Sequence, residues 1–220
     1  VGEDKITLAQ RAVDCKTNEI KVIPELLEVL DLQGSIVTID AMGTQYKIAD
    51  QVIAKQANYI LSLKGNQGSL ELDVQDIFAN ISDIKTQYIS TDETNDKDHG
   101  RLENRVCVVI TDPYWLKWLK ETRAEWNTIN SVIRITSTRT VNGISSTEER
   151  FYISSLASTS AKQMLAYIRT HWAIENSLHW TLDVSFGDDK SRVRKGNAPQ
   201  NMLLIKKAAL NLLQVIKTRY

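Results

Sequence analysis

The stretch SIVTIDAM, Ser35–Met42, decides how the chain is to be read. Ile36, Val37, Thr38 and Ile39 suit a strand buried on both faces, as in a parallel sheet, and they run directly into Asp40. A carboxylate in such a place is costly unless something compensates it. Open α/β sheets put their chemistry at the C-terminal ends of central strands, which makes Asp40 a candidate functional residue. A strand-end aspartate also serves as a turn or cap residue, so that plainer reading stands beside the first.

Outward from this stretch the pattern alternates. DKITLAQRAV has the two-residue period of a strand, placing one at Lys5–Val13, and NEIKVIPELLEVLDLQG predicts a helix with Pro24 near its first turn and Gly34 at its stop. TQYKIADQVIAKQA then predicts a helix, and NYILSLKGN a further strand closing in a turn. This β-α-β-α-β order with short connections implies parallel strands with helices packed on the sheet. After Gly68 a helix over Ser69–Ile81 leads into strand-like runs: IKTQYIST, RLENRVCVVI, NSVIRITSTRTVNG and EERFYISSL. DETNDKDHG reads as a polar loop, and VNG as a hairpin signal. Helical periodicity returns at Ser160 and is interrupted by the polar turn GDDKSRVRKGNAP. The expected organisation is an α/β part over 1–69, a mainly antiparallel β insertion over 70–157 and a helical part over 158–220.

A hydrophobic content of 42% is that of a chain with a real core. No apolar run approaches the roughly 20 residues of a membrane helix, and the first 30 residues lack a signal-peptide pattern. Cys15 and Cys107 lie far apart, so neither a disulfide framework nor a zinc knuckle is suggested, and a cytoplasmic setting is expected. Formal charge is zero, but it is unevenly spread. Glu71–Glu103 holds nine acids against three bases, whereas Ser185–Tyr220 holds eight bases against two acids. The basic end suits a polyanion or is merely a solvated face.

A second polar constellation lies in YIRTHWAIENSLHWTLDVSFGDD, where helical spacing puts His171, Glu175, His179 and Asp183 at four-residue intervals along one stripe. Two carboxylates brought together, such as Asp40 and Glu175, ionise cheaply only around a cation, and an all-oxygen set favours Mg²⁺ or Mn²⁺. His171 and His179 also read as hydrogen-bonded packing residues beside Trp172 and Trp180. A zinc site of His171, Glu175 and His179 is a further alternative, though its spacing is not that of H-E-x-x-H. Lys64 and Asn66, in LKGNQ after a parallel strand, are expected near Asp40. Trp115, Trp118 and Trp126 read as packing residues.

The motifs SIVTIDAMGTQ, YILSLKGNQ, HGRLENR, FYISSL and RTHWAIENSLHWTLDVSFGDD, extended by DCKTNEI and LLEVLDLQG, together resemble the H-repeat-associated (ISAs-type) group of bacterial insertion-sequence transposases. The resemblance implies a DDE enzyme on a ribonuclease H-like fold with a β-rich insertion ahead of the final acidic helix. It makes Asp40 the second catalytic acid and metal ligand, and Glu175 the third. No residue matches the first acid: Asp4 and Asp14 border the expected first strand without fitting, so the core is read as truncated at its N-terminus. The wider clan's Tyr-x2-Arg-x3-Glu-x6-Lys signature is also absent, since its positions hold Ile168, His171 and Leu182. His171, Asn176 and His179 are the candidates for support around Glu175.

The activity implied is two-metal phosphoryl transfer, strand cleavage and strand transfer, at insertion-sequence ends, with Mg²⁺ or Mn²⁺ as cofactor. The implied partners are double-stranded DNA, both transposon ends and target, and further copies of the protein assembled on it as a homodimer or higher oligomer. The implied location is bacterial cytoplasm, at the nucleoid. Lys190, Arg192, Arg194 and Lys195 would position DNA through its phosphates. Without the first acid the 220 residues are expected to be inactive alone. The rival reading is a catalytically dead, transposase-derived DNA-binding or interaction protein.

Overall fold

A computed structural model describes residues 6–11, 19–98, 100–174 and 178–217. In chain order the elements are α1 (Glu19–Val29), β1 (Ile36–Ile39), α2 (Tyr46–Ala54), β2 (Asn58–Leu63), α3 (Gly68–Ala79), β3 (Ile89–Asp98), β4 (Arg101–Ile110), α4 (Pro113–Thr122), β5 (Ser131–Val141), β6 (Ile144–Ser154), α5 (Ala161–Ile174) and α6 (Ala198–Lys217). They fall into two compact units, residues 31–168 and residues 1–30 with 169–220.

The larger unit is built on one mixed sheet of six strands in the order β1-β2-β6-β5-β4-β3. β1 and β2 are parallel, as the helical crossover through α2 requires, with Ile39 opposite Leu61. The other pairings are antiparallel, and β6 lies directly against β2, so the β-rich run continues the sheet that β1 and β2 begin. α2 buries Ile48, Ala49 and Val52, and α3 buries Leu70, Val74, Ile77 and Phe78. Cys107, Val108, Val109 and Ile110 are all buried, so this end of β4 is covered on both faces. At the other ends of β3–β6 the side chains are half-buried or exposed. There Thr138 pairs with Thr147 and Thr140 with Ser145 through their hydroxyls. Arg105 bridges Asp96 and Glu103, each at 2.6 Å. Asn142 and Gly143 turn the β5–β6 hairpin with φ of 51° and 78°, the left-handed pair that matches strand twist.

The smaller unit contains α1, the end of α5, a π-helical turn at Thr181–Ser185 and α6. Leu178, Leu182 and Leu210 form its buried cluster, with Phe186 and Leu203 against it. The segment Ile6–Arg11 is tied to α6 by the Asn211 amide, which donates to the Thr7 carbonyl at 2.8 Å and accepts from the Thr7 N–H at 2.9 Å. No helix among the described residues is long and apolar enough to cross a membrane.

Four expectations change. The described part of the first strand, Ile6–Arg11, has no strand pairing, because its backbone is used by Asn211. Among the described residues β1 is paired on one side alone, with β2, and it is half-buried rather than covered on both faces. The polar loop after IKTQYIST is strand: β3 runs on to Asp98, paired throughout with β4. α4, absent from the sequence reading, starts at the cap Asp112, whose carboxylate accepts from Tyr114 and Trp115 N–H, with Pro113 as its first residue.

Candidate active site

Asp40 stands just beyond β1, at the C-terminal end of a strand in the parallel pair. It is exposed, so the cost of burying its charge is absent. Its Oδ1 accepts the Gly43 N–H at 3.3 Å and caps the 3₁₀ turn Ala41–Gly43. The aspartate is therefore a cap residue, but a cap that uses one oxygen, the other having no hydrogen bond among the described residues.

The turn that carries it is gripped from the side by the loop after β2. Thr44 is fully buried, and its hydroxyl lies 2.7 Å from the Ser62 carbonyl and 3.2 Å from the Asp40 carbonyl. The Asn66 amide donates to the Ala41 carbonyl, and the Gln67 amide to the Thr44 carbonyl at 2.9 Å. Backbone and side-chain bonds thus fix Asp40–Thr44 to β2 from both sides of Met42. Asn66, expected near Asp40, is brought to the adjoining residue. Thr44 and Gln67 were not anticipated, because they act through tertiary bonds to main-chain carbonyls and no short motif marks them.

Lys64 is exposed at the end of β2, and its charge acts on Glu148 of β6. The Arg150 guanidinium, bonded to both Glu148 oxygens at 2.9 and 3.0 Å, is the main reason the Glu148 carboxyl is held below the ordinary carboxylate range. Burial pushes the Cys107 thiol up to about 12, so it is no nucleophile.

In the smaller unit His171 lies edge-on to Trp172, ring centroids 5.7 Å apart. His179 is exposed, and Asp183 is half-buried within the π-helical turn. Glu175 and Asn176 lie outside the described residues. Among the described residues no three His, Cys, Asp or Glu side chains gather closely enough to hold a metal ion. Lys190, Arg192, Arg194 and Lys195 are exposed in the irregular stretch between the π-helical turn and α6, and among the described residues none is in an ion pair. That stretch is anchored by Asp188, which accepts from Lys206 at 2.6 Å while its own N–H donates to the Leu182 carbonyl. One of its two acids is thereby neutralised by α6, and the remaining charge is strongly positive. Lys207, alongside, is shifted down by burial, against the pull of the Asp188 charge.

The profile of the family described as "Transposase DDE domain" matches residues 2–212. The chain is 40% identical, over 98% of its own length, to "Putative transposase YncI" of Escherichia coli O157:H7, of which it covers 55%. It is 34% identical over 94% of its length to "H repeat-associated putative transposase YhhI" of Escherichia coli strain K12, again covering 55% of that protein. "Putative protein YbfL" of the same strain matches to the same extent, at 34% identity. The chain spans about half the length of the curated relatives it matches.

Proposed function

The chain belongs to the transposase DDE-domain family, and on that premise we propose that it carries two of the three acids of a DNA-transposing active site, Asp40 and Glu175. The observation that carries the reading is the Asp40 turn: a solvent-facing carboxylate at the end of a parallel strand, with its backbone pinned by Thr44, Asn66 and Gln67. On this reading the β1–β2 pair belongs to a ribonuclease H-like core contributed by 1–69 and 158–220, and 70–157 is its insertion.

Asp40 offers a hard, charged oxygen whose second acceptor has no hydrogen bond among the described residues, which fits Mg²⁺ or Mn²⁺. Asp40 and Glu175 would hold such ions; when bound, these would activate water or a DNA 3′-hydroxyl and stabilise the leaving oxygen. The rest falls to the chain itself. Thr44, Asn66 and Gln67 keep the Asp40 main chain in place, so that its carboxylate needs no reordering when DNA arrives. His171, Asn176 and His179 support Glu175, and Lys64 adds positive charge at the end of β2. Lys190, Arg192, Arg194 and Lys195 hold the phosphate backbone of double-stranded DNA, fixing its register without reading sequence. Such a protein works at transposon ends and target DNA, in bacterial cytoplasm at the nucleoid, as a pair or larger assembly.

No aspartate here matches the first acid, so the 220 residues alone neither cut nor join DNA on this account. The test is strand cleavage in Mg²⁺ or Mn²⁺ with the 220-residue chain and with a protein of the relatives' full length that contains it. Activity of the longer protein, lost in Asp40→Asn and in Glu175→Gln, supports the reading. Absence of activity from the longer protein favours the dead, DNA-binding relative, and a metal-dependent nick by the 220 residues, lost in Asp40→Asn, overturns the predicted inactivity.

A further inference from the structure

The part of β6 nearest Asp40 carries a second set of charged groups. Ser62 of β2 stands opposite Tyr152 of β6, and Leu63 opposite Phe151. The next residues outward are Lys64, whose backbone is extended, and Arg150. Side chains alternate along a strand, so Ser62, Lys64, Tyr152, Arg150 and Glu148 fall on one face of the sheet. β1 brings Asp40 to the same place: Ile39 is opposite Leu61, and the Thr44 hydroxyl reaches both the Asp40 and the Ser62 carbonyls. Alternation puts Asp40 on the face of Ser62 and Arg150. Two strand spacings across and two residues outward separate Asp40 from Arg150, roughly 12 Å between main chains.

On that face the Arg150 guanidinium is held as a fork. Its Nε and Nη2 donate to the two Glu148 oxygens at 2.9 and 3.0 Å, and it is also bonded to Tyr152. Two parallel N–H bonds to two oxygens are the arrangement in which arginine binds a phosphate, so Glu148 occupies the place a phosphodiester would take. The two partners of Arg150 differ in how firmly they stand. Tyr152 is buried, at 4% exposed, and fixes the arginine from the side of the core. The Glu148 side chain is 61% exposed, a level at which an ion pair contributes little to stability and its release to water costs as little. The Lys64 charge also acts on Glu148, so two bases stand against one carboxylate. Glu149, one residue on, faces the other way, towards Thr136 and Arg134, and makes no such fork.

We propose that Arg150, with Lys64 beside it, binds the DNA phosphate presented to Asp40, and that Glu148 keeps the arginine fork paired until that phosphate displaces it. The inference rests on the reading of Asp40 as an acid of a DNA-processing site. An acid in such a site repels the phosphate it works on, and a cation fixed at the same end of the sheet offsets that repulsion. Exchange of one anion for another in the fork leaves no buried charge unpaired.

Binding of a short DNA duplex to the 220-residue chain in Mg²⁺, followed by fluorescence anisotropy, reads the exchange. Glu148→Gln is expected to tighten binding by about threefold to tenfold, and Arg150→Gln to weaken it by about as much. Arg150→Lys should weaken it too, since lysine keeps the charge and loses the fork. In an Arg150→Gln background Glu148→Gln should do nothing, because the carboxylate acts through the arginine. Glu149→Gln removes the same charge on the opposite face and should leave affinity within about twofold. Each variant is expected to keep the circular dichroism of the parent. A gain from Glu148→Gln that persists without Arg150, equal gains from Glu148→Gln and Glu149→Gln, no gain at all, or a chain that binds no duplex overturns the proposal. Failure of the longer protein to cleave DNA would strike the transposase reading instead, and these affinities would still decide the phosphate contact.

Discussion

The Asp40 turn and the basic stretch Lys190–Lys195 carry the two kinds of group the proposed activity needs, and they are held in opposite ways. Around Asp40 a buried threonine and two side-chain amides satisfy one main-chain carbonyl after another, so five residues are fixed for the sake of one carboxylate. In the basic stretch the anchoring is confined to Asp188 and a few turns, and of the four exposed cations only Arg194 has a side-chain bond among the described residues, to the Val193 carbonyl at 2.9 Å. The difference follows from the chemistry: a metal ligand must be placed to within a fraction of an ångström, whereas a phosphate contact needs charge more than geometry. Substitutions should therefore act steeply at the first region and gradually at the second.

The steepest effect is expected for Asp40→Asn in a protein of the relatives' full length, a loss of cleavage of about a thousandfold or more with DNA affinity kept, read by single-turnover assay. Comparable losses of affinity and of rate would dissolve the distinction. Next comes replacement of Lys190, Arg192, Arg194 and Lys195 by Gln together. DNA affinity should fall alike for all sequences, and the salt dependence should flatten by up to about 0.9 per contact, measured by titration across salt concentrations. Thr44→Val tests whether the grip on the turn matters. Cleavage should drop by about tenfold to a hundredfold at unchanged salt slope, because the ligand's support rather than the ligand is removed. The smallest effect belongs to Asp188→Asn, which breaks the bond to Lys206 at a partly exposed site. A loss of about 1 kcal/mol in denaturant unfolding is expected, with the basic stretch still binding DNA.

How much of this was legible follows the distribution of water around each element. In the β1–α2–β2–α3 run, α2 and α3 were readable because each buries one recurrent face, and β2 because its consecutive buried residues make a short apolar run. β3 beyond Ile89 was not, since its outer half is TDETNDK, polar at the half-buried positions as well as the exposed ones, and so shows no apolar alternation. β1 misled in the other direction: four apolar or β-branched residues suggest two covered faces, but among the described residues they are half-buried. The signal for α4 was present in Asp112-Pro113, a cap followed by a first-turn proline, and went unread among strand-like neighbours. At the candidate site, the nearness of Asn66 to Asp40 was legible from their places at the ends of neighbouring parallel strands. Thr44 and Gln67 escaped because what they bond is backbone, which has the same chemistry everywhere in the chain.

Manganese binding to the 220-residue chain, followed by titration calorimetry, tests most directly whether Asp40 and Glu175 serve one ion site. The account predicts weak binding that is lost to the same degree in Asp40→Asn, in Glu175→Gln and in the double substitution, because each removes a ligand of one shared ion. Binding unchanged by Asp40→Asn, or tight zinc binding that instead depends on His179, would contradict it.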